Sequence, residues 1–575
     1  MTTQPERSDN RRSDTQRPRS EQSGTERPGS GWSRREGRGS VGRVHGIVAG
    51  LLTAAVALGV AQLVAGVTRP EGSPIVAVGR AVIDITPRPV TDLAIKVFGT
   101  HDKLALLTII VVVLAVCAAG FGIAAMNRLE AGLTGLAVFA AIGLLAVATR
   151  PDFTPGEVAP TLLGAAVGAY TLVRLARVAR YQVGAHASPQ VGAPASPEVG
   201  APASSEGGGP AARPAAQVVR HDRRSFLLTG TVAAVGAAAS GVIGDLLSQR
   251  STVSNARTHV RIPRPARPAP PLAVTDELHI PGLSPFVTRN STFYRVDTAL
   301  LVPQVAPGSW KLRVHGMVGR ELVITFDGLL RRPLTEADIT LCCVSNPVGG
   351  PYIGNARWLG VPLAGLLREA GIRAGADQLL STSTDGYTSG APVAAVMDGR
   401  NALLAVAMNG VALPVQHGFP ARMIVPGLYG YVSATKWVTD IKVTTFGAEQ
   451  GYWVQQGWAA RAPVKTQARI DVPNGNKTLK PGKVAVAGVA WAQHRGVAVV
   501  HVRVDGGPWH QAKLATVPGI DTWRQWVWDW AATPGTHRLQ VRATDETGYT
   551  QTPAQAAPYP NGATGWPTVK VTVSS

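Results

Sequence analysis

Apolar and polar positions divide this chain into two halves with different solvents. In the first half, four apolar runs occupy roughly residues 46–67, 104–126, 131–149 and 158–175. Each is about long enough to cross ~30 Å of hydrocarbon as a helix. Their interiors carry almost no charge, which separates them from amphipathic core helices. Residues 44–180 are therefore read as a four-helix transmembrane region. Residues 1–43 are polar and rich in Arg, Ser and Gly. Such a composition cannot offset its own ordering entropy, so a disordered basic tail is expected. Residues 181–219 contain an eight-residue repeat that begins Val-Gly-Ala and is rich in Pro, Ala and Ser, the pattern of a low-complexity cytoplasmic linker. Residues 220–249 form another apolar segment, opened by His221-Asp-Arg-Arg-Ser-Phe-Leu-Leu228. Paired arginines ahead of Phe-Leu resemble a twin-arginine export signal, here expected to stay as a fifth transmembrane helix.

The second half reads as soluble protein. Residues 250–280 are rich in Pro and Arg and predict an extended extracytoplasmic tether. Over 281–446 strand-like alternation at 310–316 and 321–326 mixes with helical stretches at Asp327–Arg332 and Pro362–Ala370, a mixed α/β domain. The second helix starts on Pro362 and stops at Gly371, the expected asymmetry of helix ends. Over 447–575 the texture is all-β. Val497–Val504 and Trp509–Leu514 flank Asp505-Gly506-Gly507-Pro508, a hairpin signal. Trp526, Trp528 and Trp530 alternate with polar and β-branched neighbours, which predicts an immunoglobulin-like β-sandwich.

Charge changes this picture in one respect. The formal net charge is +20, but much of the excess lies in the tail and beside apolar runs, where basic residues set membrane orientation. No basic patch interleaved with aromatics stands on a folded segment, so nucleic acid is not expected as a partner. With the tail inside, Arg128, Arg174, Arg177 and Arg180 also fall on the cytoplasmic side. The segments 68–103 and 150–157, and the domains after residue 250, then lie outside. Three cysteines exclude a disulfide framework. His45 and His101 sit at helix ends, and Cys-x-x-Cys-His is missing from the sequence, so no haem is predicted.

The chemistry gathers around Leu341-Cys-Cys-Val-Ser-Asn346. A thiolate here is a soft metal ligand or a nucleophile, unless both cysteines are simply core residues. The same domain carries Arg289-Asn290, Asn355-Ala-Arg-Trp358, Asp385-Gly-Tyr-Thr388, and His417-Gly-Phe-Pro-Ala-Arg422 running on to Lys436-Trp437. One thiolate with several cationic and amide donors, and glycines that permit close backbone approach, suits a large anionic cofactor with a phosphate and a sulfur-bound metal. Neither a P-loop nor a dinucleotide fingerprint is present in the sequence.

From about residue 275 onward the chain resembles the sulfite oxidase family of molybdopterin enzymes, in its bacterial membrane-anchored branch. Cys343-Val-Ser-Asn346, Gly354-Asn-Ala-Arg-Trp358, His417 to Arg422 and Lys436-Trp437 carry the resemblance. It implies a molybdenum held by a pterin dithiolene and by Cys343, with Cys342 facing the other way. It implies further that Asn346, His417, Arg422 and Lys436 bind the cofactor, with Asp385, Arg289 and Asn290 in weaker positions. Arg357, at the substrate entrance or as a loop brace, and Trp458, near the place of the family's tyrosine, are the remaining catalytic candidates. The resemblance implies two-electron oxygen-atom transfer with a small-molecule substrate. Electrons would pass to or from a quinone or a cytochrome, and the last domain would form a homodimer. Pro347 and Val348 stand where sulfite oxidases carry basic residues, which weakens the case for sulfite. An S-oxide reductase on the same centre is one alternative; a non-catalytic adhesion protein on a degenerate scaffold is another.

Overall fold

The structure is a computed structural model that describes residues 33–68, 72–87, 90, 102–150, 153–185, 231, 253–475 and 478–575. The repeat linker and the twin-arginine motif lie outside the described residues. The described residues of the first half include the helices α1 (Ser33–Val67), α2 (Pro74–Ile85), α3 (Asp102–Asn127), α4 (Leu129–Ala148) and α5 (Ala159–Ala185). Arg43–Val67, Ala105–Asn127, Leu129–Ala148 and Pro155–Val178, the last with a 3-10 turn ahead of α5, are long and apolar enough to cross a bilayer. Val111, Val112, Val116 and Leu145 point outward from this bundle, as lipid-facing residues can and water-facing ones rarely do in such number. Small residues let the helices close on each other. An added Cβ on Gly122 of α3 would lie 2.0 Å from the carbonyl oxygen of Gly46 in α1, the close approach that small residues four apart allow.

Two features depart from the expectation. α1 begins at Ser33, inside the segment expected to be a disordered tail; extending an existing helix costs far less than nucleating one. α2 lies in the 68–103 segment, where no element was expected. Pro74 stands at its start, and Ala77 packs with Ala146 and Val147 at the end of α4. Beside it Arg150 and Glu157 form a buried ion pair at 2.9 Å. This end of the bundle meets the rest of the protein, with Gly79 of α2 next to Leu300.

The middle domain holds two five-stranded sheets. In one, β1 (Lys311–Gly316) and β2 (Leu322–Thr325) pair antiparallel, and β1 pairs parallel with β10 (Val438–Thr444). β5 (Gln378–Ser383) and β6 (Thr388–Pro392) continue that sheet. In the other, β3 (Thr335–Cys342), β4 (Ile353–Pro362), β7 (Leu403–Met408) and β8 (Val411–Ala412) follow in order, with β9 (Arg422–Ile424) paired to β7. Nearly every residue of β3 and β7 is buried. The expected helix occupies Leu363–Ala370 and is stopped by Gly371 in the left-handed region.

The segment expected to be an extended tether is instead packed onto this domain from residue 253. Val253 belongs to its core. The Arg257 guanidinium donates to the carbonyls of Ala412 and Leu413 at 2.9 and 2.7 Å. Glu336 of β3 donates its N–H to the carbonyl of Arg267 at 2.8 Å. Buried backbone polar groups need partners, and an unpaired strand edge supplies them.

Beyond residue 466 two sheets bury one core between them. β11 (Gln467–Val472), β13 (Gly482–Trp491), β17 (Arg524–Ala532) and β16 (Lys513–Leu514) form the first. β12 (Thr478–Leu479), β19 (Thr568–Val573), β18 (Gly535–Asp545), β14 (Val497–Val504) and β15 (His510–Gln511) form the second. Trp526 and Trp530 from one meet Val500, Leu539 and Val541 from the other. Trp523 ties this unit to the middle domain. It is buried, its indole N–H donates to the Phe286 carbonyl at 2.9 Å, and its backbone N–H donates to the Thr340 hydroxyl at 2.7 Å. Trp523→Ala removes a large fully packed side chain, so it should destabilise the full chain by about 3–5 kcal/mol. A thermal unfolding temperature unchanged from wild type would show that the two units are not coupled there.

Candidate active site

Cys343 leaves the end of β3 with its N–H donating to the Tyr352 carbonyl at 2.9 Å. The turn that follows is closed by Asn346: its N–H donates to the Cys343 carbonyl at 3.1 Å, and its side-chain oxygen accepts from the Tyr352 N–H at 2.8 Å. Adjacent strand residues face opposite sides, and the two thiols have different neighbours. The Asn346 amide points at Cys342 Sγ, 4.0 Å away. Burial pushes the Cys342 thiol well above its ordinary range, Cys343 adds to the rise, and Asn346 and Arg469 oppose it. Burial also raises Cys343, but Ser345 and the Lys436 ammonium pull it back. Lys436 therefore marks the cationic side of Cys343, while Cys342 packs into the domain's core.

That side is built by the run from His417 to Lys436. Gly418 sits at φ 108°, and a Cβ there would lie 3.0 Å from Arg422 Cβ and 3.1 Å from Lys436 Cα. Only glycine lets the loop close onto both cations. Arg422 is buried; two of its nitrogens donate to the carbonyls of His417 and Ala434 at 3.2 and 3.4 Å, and Nε has no partner. Its guanidinium carbon stands 5.3 Å from the centroid of the buried Trp358 ring, a cation–π contact. Burial lowers its pKa to about 10. Burial likewise lowers Lys436 to about 8 against the pull of Asp297, whose carboxylate accepts from Nζ at 2.8 Å. His417 is held to about 4, first by burial and then by Arg422, and so is neutral at physiological pH. Its Nε2 lies 3.0 Å from the Asn290 carbonyl, which makes Nε2 the protonated nitrogen.

The other candidates separate into two groups. Asn290 adjoins His417 through its carbonyl, and Asp385 adjoins Tyr387. The Asn290 side chain accepts from Asn409 at 2.7 Å and donates to the Met408 carbonyl at 3.3 Å. Asp385 is buried in the turn after β5. Arg289 is exposed; its carbonyl accepts from the N–H groups of Thr292 and Phe293, so it turns the chain and keeps its side chain out of the buried set. Arg357 is held as a brace. It stands opposite Asp338 across the β3–β4 pair, grips that carboxylate through two nitrogens at 3.0 and 2.8 Å, and donates to the Pro270 carbonyl at 2.9 Å. Trp458 packs on Tyr431 at 5.9 Å and on Tyr559 at 5.3 Å between ring centroids.

Two tyrosines stand near Cys343. Burial raises the pKa of Tyr294 well above the usual range, and charge on Cys343 and Cys342 would raise it further. Tyr387 responds to burial, Asp385 and Cys343 in the same direction, and its hydroxyl donates to the Tyr431 carbonyl at 2.8 Å. Asp297 was equally invisible in the sequence, where only the need of a buried lysine for a counter-charge could have pointed to it.

These residues suit a polyanionic cofactor. A buried guanidinium with an orphaned nitrogen and no carboxylate among its hydrogen-bond partners is a site for an anion. Among the described residues no group of three or more His, Cys, Asp or Glu is placed to hold a metal ion. A metal at Cys343 would take its other ligands from the cofactor.

Two outcomes are expected here. Arg357→Ala strips the partner from a carboxylate that is 2% exposed, so it should cost about 3 kcal/mol of stability while leaving kcat within a few fold; loss of kcat with intact stability would return Arg357 to the catalytic set. A neutral buried His417 binds fewer protons than the unfolded chain between its folded value of about 4 and 6.5. Wild type therefore loses stability as pH falls through that window. The stability gap between wild type and His417→Gln should narrow there; a constant gap would show that His417 is not held neutral.

Comparison with known proteins agrees with this geometry. The family model for an oxidoreductase molybdopterin binding domain matches residues 299–453. Sulfite oxidase of Gallus gallus is 31% identical over 325 residues, 48% of this chain and 69% of that protein. Mitochondrial sulfite oxidase of Homo sapiens is 30% identical over 351 residues, 51% of this chain and 61% of that protein. Among solved structures, the sulfane dehydrogenase SoxCD from Paracoccus pantotrophus is similar at a TM-score of 0.45 and 23% identity, covering 51% of this chain and 85% of that one, a likeness too loose to carry an argument. The chain spans 61–69% of the length of the two sulfite oxidases named. By that identity and coverage, and by the match over the domain that holds Cys343, this chain belongs to the sulfite oxidase superfamily of molybdopterin-binding oxidoreductases.

Proposed function

We propose that this is a molybdenum-cofactor oxidoreductase of the membrane-anchored bacterial type, working outside the cytoplasmic membrane on a small-molecule substrate. The observation that carries the reading is the buried Arg422 with its unpartnered Nε, set with His417 and Lys436 on the side that Cys343 faces. Cys343 would ligate molybdenum. Arg422 and Lys436 would hold the pterin phosphate as charged donors, and His417 would offer a neutral imidazole to the ring edge. Asn290, Asn346 and Asp385 would fix the loops around it. When bound, the molybdenum centre supplies a two-electron redox change coupled to oxygen-atom transfer. The protein contributes orientation and a cationic field, with the Cys343 thiolate tuning the metal.

Placement outside the membrane is supported by the path of the chain. α2 and the Arg150–Glu157 pair mark the end of the bundle that meets Leu300. α5 starts at that end and runs to Ala185 at the other, yet Val253 belongs to the middle domain's core. A fifth span at 220–249 belongs to this reading on the strength of its apolar sequence. Arg128, Arg174 and Arg177 sit at the far end of the bundle, the cytoplasmic one by the positive-inside rule. Electron exchange with a quinone or a cytochrome, and dimerisation through an immunoglobulin-like last domain, belong to the same reading; two sheets over one core support the latter architecture. A second reading, reduction of an S-oxide, is favoured by the aromatic wall of Tyr387, Tyr431 and Trp458, which suits a neutral organic substrate.

Metal and pterin analysis of the purified full chain from a cofactor-competent host tests the proposal. Molybdenum near one equivalent is expected, lost in Cys343→Ser together with at least about a hundredfold of activity, while Cys342→Ser keeps most of both. No molybdenum in the wild type would leave the adhesion reading standing. Equal tolerance of both substitutions would show the ligand assignment to be wrong. Turnover assays in both directions with redox dyes then decide between oxidase and reductase.

A further inference from the structure

The turn between β5 and β6 that carries Asp385 is held from an unexpected quarter. Its Asp385 carbonyl accepts a hydrogen bond from the guanidinium of Arg80, a residue of α2 in the membrane region. The Asp385 carboxylate is engaged elsewhere: it accepts from the Tyr387 N–H at 3.4 Å and the Thr298 hydroxyl at 3.5 Å. Two residues beyond Asp385 stands Tyr387, within the field of Cys343.

α2 is shaped for this position. A Cβ on Gly79 would lie 3.1 Å from Leu300 Cδ1 of the middle domain and 3.6 Å from Ile110 Cδ1 of α3. Glycine thus admits Leu300 into the angle between α2 and α3. The helix is seated on the bundle in turn through Ala77 against Ala146 and Val147. A cavity of ≈ 30 Å³ lies at the junction, lined by Arg80 and Arg150 on one side and by Thr298, Leu301 and Asp385 on the other. That is room for about one or two waters and far too little for an organic ligand. The junction is a joint, and across it Arg80 grips a backbone carbonyl.

We propose that α2 is a docking helix and Arg80 a positioning residue: the membrane bundle holds the turn that presents Asp385 and Tyr387 to the cofactor cleft. The middle domain is thereby fixed on the bundle instead of swinging on a linker. The proposal rests on the reading of Asp385 as a cofactor-site residue, but its tests do not require molybdenum. In the full chain in lipid nanodiscs, Gly79→Cys with Leu300→Cys should cross-link on mild oxidation, with the linked peptide identified by mass spectrometry. The Gly386 amide, bonded to the Ser383 carbonyl at 2.9 Å, reports on the turn by hydrogen exchange. Arg80→Ala should speed exchange at Gly386 and Tyr387 about tenfold or more, the scale of one lost charge-assisted hydrogen bond. Arg80→Lys should restore part of the protection, and exchange in β3 should stay unchanged. Failure of the cross-link would overturn the docking. A cross-link with unchanged exchange in Arg80→Ala would overturn the positioning role. Both results as expected in a chain that binds no molybdenum would keep the joint and remove the enzymatic reading.

Discussion

Burying a guanidinium without a carboxylate is costly, and the cleft is arranged around that cost. Arg422 sits under Gly418, over Trp358, with two carbonyls as acceptors and Nε unpartnered. Backbone acceptors and a ring face soften the penalty but leave net positive charge in a place of low dielectric. The neighbours adjust to it. His417 gives up its proton, and Lys436 keeps its charge by pairing with Asp297. An anion entering the cleft turns the same arrangement from a cost into a source of affinity. Its binding free energy then becomes folding free energy, as it does for structural metals.

The Cys343 turn is held from the side away from that cleft. Arg469 of β11 donates to the Gly350 carbonyl and to the Ser284 hydroxyl, both at 2.9 Å, while Asp471 at 2.6 Å orients it. Gln493 donates to the Thr340 carbonyl at 3.1 Å, and Trp523 binds the Thr340 hydroxyl. The last domain therefore braces β3 and the turn that follows it. A ligand atom must be placed to within about half an ångström to be useful, and a turn with one face on an open cleft cannot supply that precision alone. The β-rich unit contributes to the site by bracing it.

Local patterns were legible in the sequence because local physics writes them. The four apolar runs, the Leu363–Ala370 helix with its Gly371 stop, and the Asp505-Gly506 turn all follow from a few neighbouring residues. The His417–Arg422–Lys436 run could be read as one side of a cleft because its glycine and cations lie close in the chain. Long-range pairing was not legible. Arg357 lies two residues beyond Asn355 in a motif-like stretch, but the β3–β4 register sets it against Asp338. Asp297 and Tyr294 carry no signature until Lys436 and Cys343, some 50 to 140 residues away, are folded against them. α2 was missed because its apolar face meets α4 and not lipid, so it lacks the length by which a span announces itself.

The two attachments of the middle domain, one covalent through Val253 and one through α2, act on each other. A contact as small as Gly79–Leu300 with the Arg80 bond would not hold two separate proteins together. Within one chain its partner is always near, at an effective concentration on the order of 1 mM for a short connection. A joint with a standalone dissociation constant of about 0.1 mM, near 5.5 kcal/mol, would then be closed roughly ten times as often as open. Weak contacts suffice where the chain supplies the proximity. Residues 253–267 are packed along β3 and Ala412, so they do not lengthen the connection between bundle and domain. The same packing that contradicts an extended tether is thus what lets a twelve-residue helix hold an enzyme domain in register with the membrane.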